Sequence, residues 1–398
     1  MTQIPVLLLT GYLGSGKTTL VNRILTNRKG IKFAVIVNDI GEVNIDASLI
    51  EKDGVVGRRD DSLVALQNGC ICCTLKMDLV EQLRDITSMG KFDYIVIEAS
   101  GICEPEPIAR TICSIPFMGT DFIKGTMPRL DCIVTVVDAL RMRDEFSCAK
   151  DLLRNNIDEE DIENLVIQQI EFCNIVILNK ASEISAAELG KVREIVRALQ
   201  PKAEILECDF GDVELEKILG TDLFNYDSVA GSAAWITAVE GRDEHSHDDD
   251  DDDDDDDEHE DHHHHHHHHE GEGEVEEYGI GTFVYCERRP LDINKFDNFV
   301  ARHWPSGIIR AKGVCYFSED TDLCYLFEQA GKQISMKNIG QWYATMPADE
   351  LQDQLLADAQ LRKDWDPEYG DRMQKLVFIG QHLDKEAIRK ALDFCLDV

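Results

Sequence analysis

Short apolar runs without polar alternation mark the first 232 residues of the chain. They consist mainly of Val, Ile and Leu and lie at residues 6–9, 33–37, 94–97, 133–137 and 175–178. Parallel strands that are covered on both faces have this continuous apolar pattern. Stretches with helical spacing, such as 18–27 and 186–199, separate them. Residues 1–232 are therefore predicted to form an α/β domain with a doubly wound, mostly parallel sheet.

Polar residues follow these runs directly. Because the carboxyl ends of parallel strands meet at one edge of a sheet, ligands bind there. We therefore expect the chemistry of this domain along one edge. The residues that follow the five runs are Thr10 and Gly11, Asn38 and Asp39, Glu98, Asp138, and Asn179 and Lys180.

Residues 233–277 show neither the continuous apolar runs nor the helical spacing of the first domain. Ten consecutive Asp residues (248–257) and eight consecutive His residues (262–269) precede a Gly/Glu stretch. This composition has too few apolar side chains for a core, so the sequence predicts a disordered, His/Asp-rich linker. A smaller α+β domain is predicted over residues 278–398. Its apolar runs lie at 280–285, 313–317 and 376–380, and its helical stretches at 294–302 and 385–396.

The charge of the chain narrows the range of partners. Its 398 residues carry a formal net charge of -37, and 21 acidic residues with one Arg lie between residues 240 and 277. An acidic chain without basic patches is expected to bind neither nucleic acid nor an anionic membrane surface. The 13 cysteines are odd in number, and the longest apolar run near the N-terminus is too short for an export signal or a membrane span. We therefore expect reduced thiols in a cytoplasmic protein.

Residues 11–18 read Gly-Tyr-Leu-Gly-Ser-Gly-Lys-Thr, which matches the phosphate-binding loop pattern GxxxxGK[ST]. The loop's N–H groups and the helix N-terminus are expected to surround the phosphates of a nucleotide. Lys17 is expected to reach the β- and γ-phosphates and Thr18 to bind Mg²⁺. The nucleotide-binding residues predicted here are Gly11, Gly14, Ser15, Gly16, Lys17, Thr18 and Thr19.

Residues 94–101, Tyr-Ile-Val-Ile-Glu-Ala-Ser-Gly, have the form of a second nucleotide motif. Glu98 ends an apolar strand, where a carboxylate acts on Mg²⁺ or positions the attacking water. Gly101 is placed to meet a γ-phosphate. We predict Lys17, Glu98 and Gly101 as catalytic residues, with a buried or capping carboxylate as the alternative for Glu98.

Asp39 and Glu42 follow the second predicted strand, in the sequence Asn-Asp-Ile-Gly-Glu. A switch loop that responds to the γ-phosphate is expected at this place. Asp39 is predicted near Mg²⁺. The alternative for both residues is a solvated acidic loop.

Asn179 and Lys180 begin a pattern similar to the guanine-reading motif Asn-Lys-x-Asp, and we predict that both bind the nucleotide. In that motif the Asp accepts protons from guanine, whereas this chain has Ser182 at that place. A hydroxyl does not reproduce the bidentate contact of a carboxylate. Either the next residue, Glu183, takes this role, or base specificity is relaxed.

Cysteines are concentrated at residues 69–75, Gly-Cys-Ile-Cys-Cys-Thr-Leu. Cys70, Cys72 and Cys73 lack the spacing of a closed zinc knuckle, and no second CxxC completes a four-cysteine site. Two or three thiolates with a nearby carboxylate form an open site, which suits Zn²⁺ or Cu⁺, with Co²⁺ as an alternative. Cys70 and Cys73 fit the CxxC pattern of a redox-active pair only loosely. The remaining alternative is that these cysteines are buried and structural.

The His tract is a second candidate for metal binding. Imidazoles at high local density bind zinc or nickel weakly but many at a time. The flanking Asp run raises the local concentration of cations. A linker that only keeps the chain soluble is the alternative.

Taken together, these motifs closely resemble the CobW-type metallochaperone GTPases. The resemblance rests on the phosphate loop, on Val-Asn-Asp-Ile-Gly-Glu-Val-Asn-Ile-Asp at 37–46, on Asn-Gly-Cys-Ile-Cys-Cys-Thr-Leu at 68–75 and on Ile-Glu-Ala-Ser-Gly at 97–101. The second domain resembles the family's C-terminal domain, notably at 289–290 and 309–313. The chain departs from the family in Val37, where some relatives have Glu, and in Ser182.

The resemblance implies a P-loop GTPase that binds GTP with Mg²⁺ and loads a divalent metal, with zinc expected and cobalt as an alternative. Cys70, Cys72 and Cys73 are the implied metal thiols and Glu42 an implied carboxylate of the metal or switch region. The metal is then delivered to a client metalloprotein, with GTP hydrolysis coupled to release. Two alternatives stay open. One is a zinc buffer or sensor that uses the His/Asp tract, and the other is a dedicated activator of one cobalt or iron metalloenzyme.

Overall fold

The structure is a computed structural model and describes residues 3–26, 30–37, 65–67, 76–118, 126–147, 160–230, 279–331, 333–363 and 365–397. The chain divides near residue 234 into two compact units. The predicted linker lies outside the described residues, so the boundaries at 232 and 278 remain predictions. In the described part of the chain, no helix combines the length and the apolar character that crossing a membrane requires.

The first unit alternates strands with helices. Its described elements are, in chain order, β1 (Gln3–Thr10), α1 (Lys17–Thr26), β2 (Phe33–Val37), β3 (Ala65–Gln67), α2 (Lys76–Met89), β4 (Tyr94–Glu98), α3 (Pro105–Ser114), β5 (Met127–Asp138), α4 (Ala139–Ser147), α5 (Glu160–Glu171), β6 (Ile175–Asn179), α6 (Ala186–Leu199), β7 (Glu204–Glu207) and α7 (Tyr226–Ala230).

The described strands of this unit form one seven-stranded sheet in the order β3-β2-β4-β1-β5-β6-β7. Each of the recorded strand pairs is parallel. β1 lies in the middle, and the chain winds from it toward β3 on one side and toward β7 on the other. This is the doubly wound sheet predicted from the sequence, and the loop that follows β1 lies where the winding direction changes.

Both faces of this sheet are buried, which explains the continuous apolar runs. Leu7 and Leu9 belong to a core cluster that includes Leu20 and Ile24 of α1. Leu8 lies between them and so faces the other side of the sheet, yet it is also fully buried. A half-exposed sheet would instead alternate apolar and polar residues.

Local signals set the ends of the best-predicted helix, α6. Ser185 precedes it, and its hydroxyl accepts a hydrogen bond from the Glu188 N–H at 3.3 Å, while the Glu188 carboxylate accepts from the Ser185 N–H at 2.8 Å. This reciprocal capping box satisfies N–H groups that the first turn leaves without a helical acceptor. The predicted helix at 186–199 has the bounds that the structure shows.

Two strands of the sheet were not predicted. β3 has only three residues, and β7 reads Glu-Ile-Leu-Glu, with both glutamates exposed. Both strands lie at the ends of the sheet order. An edge strand is shorter and more polar than a central one, so its run is too weak to detect in the sequence.

The second unit has an antiparallel sheet with helices. Its described elements are β8 (Ile280–Glu287), α8 (Ile293–Arg302), β9 (Ile308–Phe317), β10 (Asp320–Ala330), β11 (Gln333–Gln341), α9 (Ala348–Ala357), α10 (Ala359–Lys363), β12 (Gln374–Gln381) and α11 (Lys385–Cys395). The sheet order is β11-β10-β9-β12-β8, and β12 is antiparallel to both β8 and β9.

One core joins this sheet to α8 and α11. Phe296 of α8 and Leu392 of α11 are buried in the same cluster as Phe378 of β12. The predicted smaller α+β domain is therefore confirmed. β10 and β11 were missed because Asp320–Ala330 begins with exposed acidic and polar residues, and Gln333–Gln341 is exposed along nearly its whole length.

Candidate nucleotide site

The loop between β1 and α1 approaches neighbouring strands closely. Gly11 has φ +133°, and a Cβ there would lie 2.2 Å from the Val136 carbonyl oxygen of β5. Gly16 has φ +106°, and a Cβ there would lie 2.2 Å from Asn179 Nδ2 of β6. Any larger residue would push the loop away from the sheet. The loop is therefore shaped by contact with the strand ends.

Lys17 begins α1 and points back into the loop. Its ammonium donates to the carbonyl oxygens of Gly11 at 2.7 Å and Tyr12 at 3.1 Å, and the residue is only 7% exposed. The positive end of the α1 dipole lies at the same place. A buried ammonium at the N-terminus of a helix, where the positive end of the helix dipole lies, forms an anion site that fits phosphate.

Thr18 and Glu98 meet beside this loop. The Thr18 hydroxyl donates to Glu98 Oε1 at 2.9 Å, and Glu98 is 2% exposed. Parallel pairing of Leu9 with Glu98 holds the carboxylate level with the end of β1. Hydroxyl and carboxylate oxygens are the ligands that Mg²⁺ prefers, so these residues fit that ion. Thr19 follows on α1 and is exposed.

Gly101, in the loop after β4, packs against the phosphate loop. A Cβ at Gly101 would lie 2.7 Å from both the backbone nitrogen and Cγ of Leu13. Gln169 of α5 is 1% exposed, and its amide donates to the carbonyl oxygens of Gly101 at 3.3 Å and Cys103 at 3.1 Å. Gln169 therefore holds the loop that carries Gly101, a role that sequence reasoning missed because α5 carries no nucleotide motif.

Asn179 connects three segments at the carboxyl edge. Its Nδ2 donates to the Ser15 carbonyl oxygen at 2.8 Å, and its Oδ1 accepts from the Gly211 N–H at 3.1 Å. Cys208 lies beside it, with Sγ 3.5 Å from Asn179 Oδ1. Burial raises the pKa of the Cys208 thiol to about 11, so the thiol is neutral near pH 7. Asn179 therefore braces the phosphate loop against the loops that follow β6 and β7.

Lys180 and Ser182 form ionic and hydrogen-bonded contacts at the same edge. The Lys180 ammonium pairs with the carboxylate of Asp138, which ends β5. The backbone N–H and hydroxyl of Ser182 donate to Asp209 Oδ1 at 3.0 and 2.9 Å. Asp209 was not among the predicted residues, because it follows the short strand β7 that the sequence pattern did not reveal.

A small pocket borders the phosphate loop on the side of β5 and α4. Tyr12, Ser15, Asp138 and Arg141 are among the residues that line it. The Arg141 guanidinium lies 4.2 Å from the centre of the Tyr12 ring, a cation–π contact. Arg141 was also missed, since a single Arg early in a helix is no signal in a sequence.

The predicted metal residues cannot be placed in the same way. Asp39, Glu42, Cys70, Cys72 and Cys73 lie outside the described residues. Within the described part of the chain, no group of three or more His, Cys, Asp or Glu side chains is arranged to hold a metal ion. The structure therefore brings together Gly11, Ser15, Gly16, Lys17, Thr18, Glu98, Gly101 and Asn179, and it leaves the cysteine motif untested.

Residues 5–207 match the CobW/HypB/UreG nucleotide-binding domain, and residues 280–396 match the cobalamin synthesis protein cobW C-terminal domain. The chain belongs to the CobW/HypB/UreG family. Membership of this family makes it a P-loop GTPase. The family and the enzyme class predicted from the sequence are therefore confirmed.

Curated relatives extend this result along the chain. The zinc-regulated GTPase metalloprotein activator 1 of Dictyostelium discoideum is 31% identical over 409 aligned residues, which cover 99% of this chain and 80% of that protein. The zinc chaperone CobW of Pseudomonas aeruginosa is 31% identical over 55% of this chain and 60% of its own length. The first relative spans both units of this CobW family member.

Among solved structures, Zn(II)-bound YjiA GTPase from E. coli aligns over the whole of both chains, with 20% identity and a TM-score of 0.40. HypB from Helicobacter pylori in complex with nickel aligns over 57% of this chain and 87% of its own, with 18% identity and a TM-score of 0.34.

Proposed function

We propose that this CobW family member is a GTP-dependent metallochaperone that binds zinc at Cys70, Cys72 and Cys73 and delivers it to a client metalloprotein. GTP hydrolysis is coupled to release of the metal. Cobalt is the alternative cargo, and Glu42 is the proposed carboxylate of the metal or switch region.

The observation that carries the GTPase half is the contact between Thr18 and Glu98. The Thr18 hydroxyl, in the first turn of α1, and the Glu98 carboxylate, at the end of β4, are 80 residues apart in the sequence, yet they form a hydrogen bond of 2.9 Å. They lie next to a phosphate loop that already holds the Lys17 ammonium. A carboxylate with only a structural role would not have to lie beside a phosphate loop and a hydroxyl. This combination of groups is suited to a nucleotide with Mg²⁺.

In the proposed reaction, the phosphate loop and Lys17 bind the β- and γ-phosphates of GTP. Thr18, with Asp39 as a further candidate, would hold Mg²⁺, and the ion would offset charge on the phosphate oxygens. Glu98 would position the attacking water or act on Mg²⁺, and Gly101 would meet the γ-phosphate with its N–H. Gln169 holds the Gly101 loop in place through the carbonyl oxygens on either side of Ile102.

The metal half rests on residue chemistry and on the family. Adjacent cysteines bind soft metals as thiolates, and an open set of two or three can release its cargo. The relatives named as zinc chaperones and as a zinc-regulated activator support zinc as this chain's cargo. A switch that moves a site from mostly open to mostly closed needs about 5 kcal/mol of differential binding. Contacts to the γ-phosphate are the proposed source.

The test is zinc affinity by chelator competition on the full chain, with GDP and then with a non-hydrolysable GTP analogue. We expect the analogue to tighten zinc binding by about tenfold or more, equivalent to about 1.4 kcal/mol. Cys72→Ser should abolish the difference. Cys286→Ser is the matched control, because Cys286 is an exposed free cysteine in the second unit.

Equal zinc affinity in both nucleotide states would refute coupled delivery. The His tract at 262–269 would then favour the zinc buffer or sensor. In that case deletion of residues 241–277 removes most of the bound zinc, whereas the Cys72→Ser variant retains it. The dedicated activator is tested separately, by assaying the chain against a panel of apo-metalloenzymes. If zinc affinity depends on the nucleotide but only one cobalt or iron enzyme in the panel is activated, the chain is a dedicated activator.

A further inference from the structure

Asp209 lies where the guanine-reading motif of this chain lacks its carboxylate. The third residue after Asn179 is Ser182, and both its N–H and its hydroxyl donate to Asp209 Oδ1, at 3.0 and 2.9 Å. Asp209 comes two residues after the end of β7. A carboxylate from the neighbouring strand thus lies one hydrogen bond away from the position where the motif has its Asp.

The two loops are clamped together, so this placement is set by the backbone. The Ala181 N–H donates to the Cys208 carbonyl oxygen at 3.1 Å. The Gly211 N–H donates to Asn179 Oδ1 at 3.1 Å, and Asn179 in turn holds the phosphate loop through Ser15. Asp209 lies between Cys208 and Gly211, so it is held at a fixed place relative to the phosphate loop.

Geometry leaves part of this carboxylate available. Oδ1 accepts both bonds from Ser182, and within the described residues Oδ2 accepts none. Asp209 is half-buried, so a ligand can reach it. The Ser182 hydroxyl donates its proton to Asp209. Toward a ligand, Ser182 therefore presents only the lone pairs of its hydroxyl oxygen. Asp209 is therefore the group that can supply a negative charge.

We propose that Asp209 is the residue that selects guanine in this chain, with Ser182 as its positioning residue. The proposal rests on the proposed GTPase function and deepens it. Guanine presents two adjacent donors, N1–H and the C2 amino group, which a carboxylate accepts together. Adenine presents an N1 acceptor and a C2–H at the same positions, so a carboxylate there disfavours it.

The decisive variant is Asp209→Asn, tested with GDP and xanthosine diphosphate (XDP). Xanthine has a C2 carbonyl in place of the amino group, and an amide both accepts from N1–H and donates to that carbonyl. We expect GDP affinity to fall by about tenfold or more and XDP affinity to rise by a similar factor, because a bidentate base contact discriminates by this amount. The GDP/XDP affinity ratio should therefore change by about 100-fold.

Four further variants complete the design. Asp212→Asn is the matched control, because Asp212 is an acidic residue three positions away that pairs with Arg23 at the surface, and its GDP/XDP ratio should not change. Glu183→Gln tests the neighbouring carboxylate. The double variant Ser182→Asp with Asp209→Ala moves the carboxylate to the motif position, and it should recover guanine selectivity that Asp209→Ala alone loses.

The outcomes separate this proposal from the function on which it rests. If the unsubstituted chain does not prefer GDP to ADP, the proposed GTP-dependent function itself fails. If it prefers GDP but Asp209→Asn keeps the GDP/XDP ratio, Asp209 only caps the turn at Ala181–Glu183, and the proposal is overturned. A ratio that changes with Glu183→Gln instead also overturns it. Thermal melting of each variant checks folding, and the double variant decides the matter if Asp209→Asn does not fold.

Discussion

Two buried carboxylates in the same parallel sheet have different surroundings. Glu98 ends β4 at the carboxyl edge, is 2% exposed and accepts from the Thr18 hydroxyl. Asp131 lies near the amino end of β5 and is completely buried. It accepts from the Tyr94 hydroxyl and from backbone N–H groups at residues 220–222, at 2.8, 3.2 and 2.6 Å.

The partners of each carboxylate distinguish its role. Asp131 lies at the register shift between β1 and β5, between the strand pairs Val6–Leu130 and Leu7–Cys132. Its carboxylate fixes the turn at 220–222 against the sheet. Backbone N–H groups cannot be released without unfolding that turn. Glu98 instead accepts from the side-chain hydroxyl of Thr18, in the first turn of α1. A buried carboxylate that backbone N–H groups hold in place has a structural role. For Glu98, which lies beside the phosphate loop, we propose a functional role.

Glu98→Gln gives the largest expected effect. The amide keeps an acceptor for Thr18, so we expect the free energy of unfolding to change by about 1 kcal/mol or less. The rate of single-turnover GTP hydrolysis should fall by about 10²–10⁴-fold, the usual contribution of a positioned acid or base. Urea denaturation and quench-flow kinetics measure the two quantities. A rate within threefold of the unsubstituted chain would place Glu98 with Asp131 among structural carboxylates.

Asp131→Ala should show the opposite pattern. Its loss leaves a buried hydroxyl and three N–H groups without their acceptor, which costs about 3–5 kcal/mol of stability. GTP affinity of the folded fraction should stay within twofold, measured by titration calorimetry at low temperature. Asp131→Asn retains one acceptor oxygen and should lose less. A stability loss under about 1 kcal/mol would contradict the structural role.

Tyr94→Phe tests one arm of the Asp131 network. Burial raises the pKa of the Tyr94 phenol, so it donates to Asp131 as a neutral hydroxyl. Removal of this donor should cost about 1–2 kcal/mol, because backbone donors to Asp131 remain. A double-mutant cycle with Asp131→Asn, followed by urea denaturation, measures the coupling. Additive losses would show that the two side chains act independently.

The smallest expected effect concerns pH. Burial raises the pKa of the Cys132 thiol from 9.0 to about 12. The folded chain keeps this proton to higher pH than the unfolded chain, so stability is lost as pH rises above 9. Between pH 8 and 10 this thiol accounts for about 1.4 kcal/mol of that loss. Urea denaturation of Cys132→Ala should show a correspondingly smaller decline, and identical slopes would exclude this origin.

Sequence reasoning predicted the central strands and the phosphate loop well, because continuous apolar runs and a glycine pattern are strong local signals. It missed β7 at one end of the sheet and, with it, Asp209. It also could not find Gln169 or Arg141, because only the fold brings these side chains to the phosphate loop and to the loop that carries Gly101. The cysteine motif at 70–73 lies outside the described residues and stays a prediction.

By itself the sequence determined the central strands of the first sheet, the phosphate loop at 11–18, and the membership of the CobW/HypB/UreG family. These depend on periodicity and on neighbours along the chain, which short-range physics decides. Only the tertiary structure decided that Glu98 faces Thr18, that Asp131 is saturated by backbone, and that Asp209 stands beside Ser182. Such contacts join residues 27 to 91 positions apart. They depend on strand order and register, which local pattern does not encode.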